Sequence, residues 1–261
     1  MIPVKDGVAR QRRPLVTLAL VAASIVVYLV AIGSGGSLIG GPSAVTVVRW
    51  GAIPYEWTHW GQHCAIGLAG FGQAVLCTGQ AHVIGSAGSQ PPTWLTAISQ
   101  IFIAKDVLQL IVNVALLAVL GSSVEDAMGP ARFLALYLLG GLASLAIAIV
   151  AGADSVVPLV GNAGALACVI GAYLVLRTKQ RILSVGLIPC FFAIYAVPAW
   201  AWAGAWVAFD ALFGALGTFT GLGGGAGATY YAHYSGLALG ALAAWPLARE
   251  QRASGAPPAD A

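Results

Sequence analysis

Six apolar runs divide this chain, and each is close to the length that crosses a lipid bilayer. A hydrocarbon core of ~30 Å takes ~20 apolar residues per helix. The runs cover residues 14–32, 95–121, 133–152, 160–176, 198–216 and 230–248. Composition agrees: the chain is 59% hydrophobic and 8% charged, with mean hydropathy +0.87. A soluble domain carries about 25% charged residues. So few charges cannot cover a water-facing surface, so lipid must solvate the chain. The expected fold class is an all-α membrane protein, a bundle of six transmembrane helices.

The first run is long for the apolar part of a signal peptide. Ile32-Gly33-Ser34-Gly35-Gly36 is also a poor cleavage site, so the run reads as a retained span. Residues 1–13 then form a cytoplasmic segment and 14–248 the membrane domain. Within that domain, 33–92 form a long extracytoplasmic first loop. Residues 249–261, polar and rich in Pro and Ala, read as a disordered cytoplasmic tail. The apolar stretch 182–197 is interrupted by Gly186 and Pro189. It reads as a partly embedded or interfacial lead-in to the fifth span.

Charge placement tests this topology. With a cytoplasmic start and alternating spans, only Arg49 and Lys105 of the 12 Lys and Arg residues fall outside. That is the positive-inside bias, and it favours an even number of spans. Net charge is only +3, so nothing points to nucleic acid. Trp50, Trp57, Trp60 and Trp94 lie in or beside the first loop, and Trp200, Trp202 and Trp206 line the fifth span. Interfacial anchoring accounts for such aromatics.

Two short motifs carry chemistry. Gly161-Asn162-Ala163-Gly164 opens the fourth span, and Ala232-His233-Tyr234-Ser235-Gly236 lies in the last. Ala232, Gly236 and Gly240 recur every four residues, while Gly164, Ala167, Cys168 and Gly171 give the fourth span a small-residue face. Small faces let membrane helices pack backbone to backbone, which would bring His233 near position 163. An ionisable residue inside a span is functional by default. The rival reading of His233 is a neutral histidine bonded to a carbonyl, a tyrosine or a glutamine.

These motifs resemble those of the rhomboid intramembrane serine proteases of bacterial type. That family carries Gly-x-Ser-Gly on one span and Ala-His-x-x-Gly on another. Val124-Glu125-Asp126-Ala127-Met128-Gly129 with Arg132-Phe133 resembles the family's loop between the second and third spans. Tyr137, Gly140, Gly141 and Ala143 resemble its third span. Gly171-Ala172-Tyr173 resembles the continuation of its nucleophile helix, and Gly51-Ala52-Ile53-Pro54-Tyr55-Glu56 the start of its first loop. The resemblance implies a rhomboid-like six-helix fold in a bacterial inner or cell membrane, with both termini cytoplasmic.

It also implies site positions. The nucleophile position is Ala163 and the base is His233. The oxyanion-hole positions are Asn113 and Gln109, and the family's first histidine falls on Ala104. The motif glycines are Gly161, Gly164, Gly236 and Gly240. Three polar positions therefore depart from the family pattern. An amide at 109 still donates a hydrogen bond, and losing one oxyanion donor costs about 10²–10³ in rate. Losing the nucleophile costs on the order of 10⁶, so Ala163 decides.

The expectation is a catalytically inactive homologue that binds or steers transmembrane clients. The alternative is an active serine endopeptidase in which Ala163 is an introduced substitution. A third reading is a small transporter or proton path through Asp210 and His233, although no inverted repeat is visible. Expected partners are lipid and transmembrane proteins, with no cofactor and no metal. In the first loop, Cys64 and Cys77 are candidates for a disulfide, as an oxidising compartment favours. A metal site drawing on His59, His63, Cys64, Cys77 and His82 is the rival. Cys168 and Cys190 read as free, buried thiols.

Overall fold

In chain order the elements are β1 (Ile2–Asp6), α1 (Leu15–Gly33), α2 (Ala44–Trp50), α3 (Pro54–Thr58), β2 (Cys64–Ala69), β3 (Gly72–Cys77), α4 (Thr93–Ser99), α5 (Val107–Leu116), a π turn (Leu117–Gly121), α6 (Ser122–Met128), α7 (Pro130–Ala151), α8 (Ala163–Leu176), β4 (Arg181–Ile188), β5 (Phe191–Pro198), α9 (Ala199–Thr220) and α10 (Ala226–Ala253). This computed structural model describes the chain except residues 1, 9–10, 70–71, 81–82, 84–88, 189–190, 221–225 and 254–261. The side chains of residues 2, 69, 185–194, 210, 213–230 and 252 are also outside the description.

Three helical stretches are long and apolar enough to cross a membrane: Leu15–Gly33, Val107–Met128 and Pro130–Ala151. Ala163–Leu176 is apolar but shorter. Local chemistry sets their ends. Asp106 caps α5, its Oδ1 accepting the Gln109 N–H at 2.7 Å, as a short acidic cap should. Pro130 opens α7, where its missing N–H costs nothing. Gly129 before it has φ +84°, a conformation that glycine adopts freely.

Four expectations need correction. The second run does not form one helix over 95–121, because α4 ends at Ser99 and α5 begins at Val107. The Asp106 cap restarts the helix, and the first loop packs on the break through Val107 N–H to Ile39 O at 3.3 Å. Residues 182–197, read as a partly embedded or interfacial lead-in, form an antiparallel hairpin, with Arg181 opposite Pro198 and Ile188 opposite Phe191. Ile182, Val185, Ile194, Tyr195 and Val197 favour strand. β1 joins its edge, pairing Ile2 with Val185. The all-α expectation therefore becomes a mostly helical chain with two small sheets. α10 also continues through Ala253, into the segment expected to be an unstructured tail; residues 254–261 lie outside the description.

Acidic side chains tie the N-terminal segment to the bundle. The Glu125 carboxylate accepts Val16 N–H at 3.0 Å, and Thr17 N–H and Thr17 O–H at 2.7 Å each. An anion at a helix N-terminus also answers the helix dipole. Asp126 accepts the Gln11 and Arg12 N–H groups and lies 3.6 Å from the Arg177 guanidinium. The main core lies between α5–α8, where Phe133, Tyr137, Val169, Ile170 and Tyr173 are fully buried.

The described part of the first loop is folded. β2 and β3 form a hairpin, and Cys64 and Cys77, opposite each other in register, are disulfide-bonded. Both thiols are thus used, so the rival metal set that draws on them is not formed; His82 lies outside the description. Replacing Cys77 with alanine is expected to cost the loop about 3 kcal/mol through lost chain closure. Limited proteolysis of the two proteins at matched temperature checks it, with earlier cleavage in the variant as the expected result.

Glu56 is buried in this loop and accepts the Cys64 N–H at 2.7 Å. Burial pushes its pKa above the usual carboxylate value; the Cys64 N–H and nearby His63 oppose this without cancelling it. A carboxyl whose folded pKa is raised contributes stability below its unfolded pKa. It loses that contribution as pH rises through the folded value. Glu56→Gln should therefore match the parent at pH below about 4, gain on it as pH rises through the folded value, and keep a constant margin above that value. Amide exchange of β2 and β3 at acidic and neutral pH checks it.

Candidate functional site

The site is built where α7, α8 and α10 meet. Replacing Gly171, Gly236 or Gly240 with any side chain would collide with backbone. A Cβ on Gly240 would strike the Cys168 carbonyl, and one on Gly171 the Leu237 carbonyl. A Cβ on Gly236 would lie 2.5 Å from the Gly164 carbonyl oxygen. Gly164, Gly236 and Gly240 thus sit at the crossing itself, as small faces allow.

Gly161 has φ +102°, which turns the chain into α8. Its N–H donates to Gln100 O at 2.9 Å, fixing the turn to the break between α4 and α5. Asn162 then stands at the N-cap and Ala163 is the first residue of α8. Asn162 does not use its side chain as a cap. Its Nδ2 donates to Tyr137 Oη at 3.0 Å instead, anchoring the turn to α7.

A cavity of ≈ 210 Å³ opens beside this turn. Ala163, Gly161, Asn162, Gly164, Gln109, Ser144, Ala232 and His233 all line it. The segment between α7 and α8 forms a further wall, and the first loop docks on that segment. Ala52 and Leu159 exchange backbone hydrogen bonds at 3.0 and 2.8 Å, and Tyr55 N–H reaches Ser155 O at 3.0 Å. His233 sits against Trp206 of α9, ring centroids 5.9 Å apart.

Of the residues singled out in the sequence, Ala163, His233, Gln109, Gly161 and Gly164 share this cavity. Gln109 spans it: Oε1 accepts the Lys105 N–H at 2.8 Å, while Nε2 lies 2.9 Å from where a Cβ on Gly161 would be. Among the described residues, Asn113 and Ala104 are not part of the wall. Asn113 is half-buried on the next turn of α5, and Ala104 is buried in the break before that helix. Cys168 is a buried, free thiol. The side chain of Asp210 and residue Cys190 lie outside the description.

Residues 91–250 match the model of the Rhomboid domain. The chain belongs to the rhomboid family. The match covers α4 to α10 and every wall of the cavity. No curated protein and no solved structure matches the chain. A rhomboid domain is a membrane helical bundle, in agreement with the three long apolar helices and the shorter α8.

The sequence reading of this rhomboid missed Ser144. Its hydroxyl is buried, lines the cavity and finds no hydrogen-bond partner among the described residues. It also lies where a Cβ on Gly164 would go, at 2.5 Å. A lone serine in an apolar span gives no sequence signal, because many such hydroxyls bond to their own helix. Asn162 Oδ1 is similarly buried without a partner, so the cavity wall carries polar atoms that the bundle does not satisfy.

Chemically, the wall holds an imidazole, an amide, an asparagine and a hydroxyl around a methyl. The imidazole can accept a proton and the amides can donate to an oxyanion. The first residue of α8 supplies no atom that attacks a carbonyl.

Proposed function

We propose that this rhomboid does not hydrolyse peptide bonds, and that its cavity and helix faces bind or steer transmembrane client proteins. The observation that carries the reading is Ala163 at the first turn of α8, in the same cavity as His233. A base without a nucleophile leaves the first step of acyl transfer without its attacking atom. Gln109 in place of the family's histidine, and Ala104 in place of a second one, support the same reading. In this proposal six helices span the membrane with both termini in the cytoplasm. Gln109 and Asn113 occupy the former oxyanion positions, and Asp210 serves as a hydrogen-bonding group within the fifth span.

The test is retention without cleavage. The full chain in lipid nanodiscs is mixed with a fluorescent transmembrane peptide, and binding and peptide mass are followed together. Saturable binding of a peptide that stays intact is the expected result. Cleaved peptide overturns the inactive reading, and no binding to any of several transmembrane sequences overturns the client reading.

A further inference from the structure

A second and larger cavity, of ≈ 580 Å³, is lined chiefly by α7 and α10. Its floor is made of small residues, Ala143 on α7 and Ala243 on α10, with Leu139 and Leu239 as flanks. Both leucines are substantially exposed, at 63% and 37%, so in a membrane this wall faces hydrocarbon. From Arg132 to Ala143 the α7 wall rises roughly 16 Å at about 1.5 Å per residue. That is about half of a ~30 Å bilayer core, the depth reached by one acyl chain from one leaflet.

The rim is polar and of both signs. Arg132, near the start of α7, and Glu250, near the end of α10, both line the cavity, and both are exposed. Beside them Arg249 lies over the Trp245 ring, 5.5 Å from its centroid. Tryptophan and arginine together mark the level of lipid headgroups. A lone arginine would suit any anionic headgroup. The carboxylate of Glu250 on the same lining disfavours a second negative charge and calls for a cation with N–H donors.

The geometry points to a binding site for one phospholipid with an ethanolamine headgroup. Arg132 takes the phosphate, Glu250 takes the ammonium, and one acyl chain fills the groove over Ala143 and Ala243. A guanidinium on phosphate and a carboxylate on ammonium are charge-assisted hydrogen bonds, the strong kind. A quaternary choline has no N–H to give Glu250, and a glycerol headgroup brings no cation. The site needs α7 and α10 to lie in the membrane, as the family implies. It does not depend on whether the smaller cavity is active.

The full-length chain in detergent is titrated with phosphatidylethanolamine, phosphatidylcholine and phosphatidylglycerol of identical acyl chains, read by native mass spectrometry. Phosphatidylethanolamine should bind roughly tenfold tighter than the other two, as one charge-assisted bond warrants. Glu250→Gln should remove that preference, and Arg132→Gln should weaken all three lipids by about tenfold. Both are surface side chains, so folding is not at stake. Ala143→Phe with Ala243→Phe should abolish the tight binding; if that variant misfolds, the two rim variants decide. Equal binding of the three lipids, or binding indifferent to Arg132→Gln and Glu250→Gln, overturns the assignment.

Discussion

Gly240→Leu should separate α8 from α10 and cost the bundle at least about 3 kcal/mol, the upper end of ordinary overpacking. The reason is local. Even a methyl at this position would collide with the Cys168 carbonyl, carbon and Cα, and helix backbone cannot rotate away as a side chain can. Gly171 makes the reciprocal contact with the Leu237 carbonyl on α10, so the two positions close one interface. Because neighbouring sites couple, the double variant should cost less than the sum of the singles. A matched substitution at Gly204, which has nothing within 4 Å, should leave the interface intact and cost no more than ordinary helix-surface changes. Thermal unfolding of the four variants, Gly240→Leu, Gly171→Leu, their double and Gly204→Leu, in one detergent checks the order. His233 lies on α10 one turn from Gly236, so Gly240→Leu should also disturb the small cavity.

The second large effect concerns chemistry. Ala163→Ser places a hydroxyl at the first turn of α8 but leaves Gln109 in place. Removing a nucleophile costs on the order of 10⁶ in rate, so on the proposed reading this single change has the largest effect. A poorly matched oxyanion donor still costs about 10²–10³. In this structure Gln109 Oε1 is engaged by the Lys105 N–H, and its Nε2 lies close against Gly161. Ala163→Ser alone should therefore cleave a transmembrane substrate about 10²-fold more slowly than Ala163→Ser with Gln109→His. Adding His233→Ala to either variant should return it to background. Initial rates of peptide release in nanodiscs, at equal protein and saturating substrate, measure the ratio.

The long helices are legible because nothing competes with an unbroken apolar run. Residues 14–32 became Leu15–Gly33, and 133–152 became Pro130–Ala151. The break before α5 was missed because Lys105 and Asp106 lie inside an otherwise apolar stretch. The capping use of Asp106 outweighs the hydropathy there. The hairpin at 181–198 was missed because apolar content alone does not separate a strand from an embedded helix. The cavity was legible through Gly161, Ala163, Gly164 and His233, since motif spacing and small-residue faces are local in sequence. Ser144, the Asn162–Tyr137 bond and the docking of Ala52 on Leu159 were not. Each joins residues from distant parts of the chain, and no local pattern marks them.

The most direct measurement uses the unaltered protein. The full chain in nanodiscs is treated with a serine-directed fluorophosphonate and, in parallel, with a transmembrane substrate. The inactive reading proposed above predicts neither labelling nor cleavage, and predicts that Ala163→Ser labels. Labelling of the unaltered chain that disappears on replacing one hydroxyl, Ser144 or Ser235 among them, would contradict it.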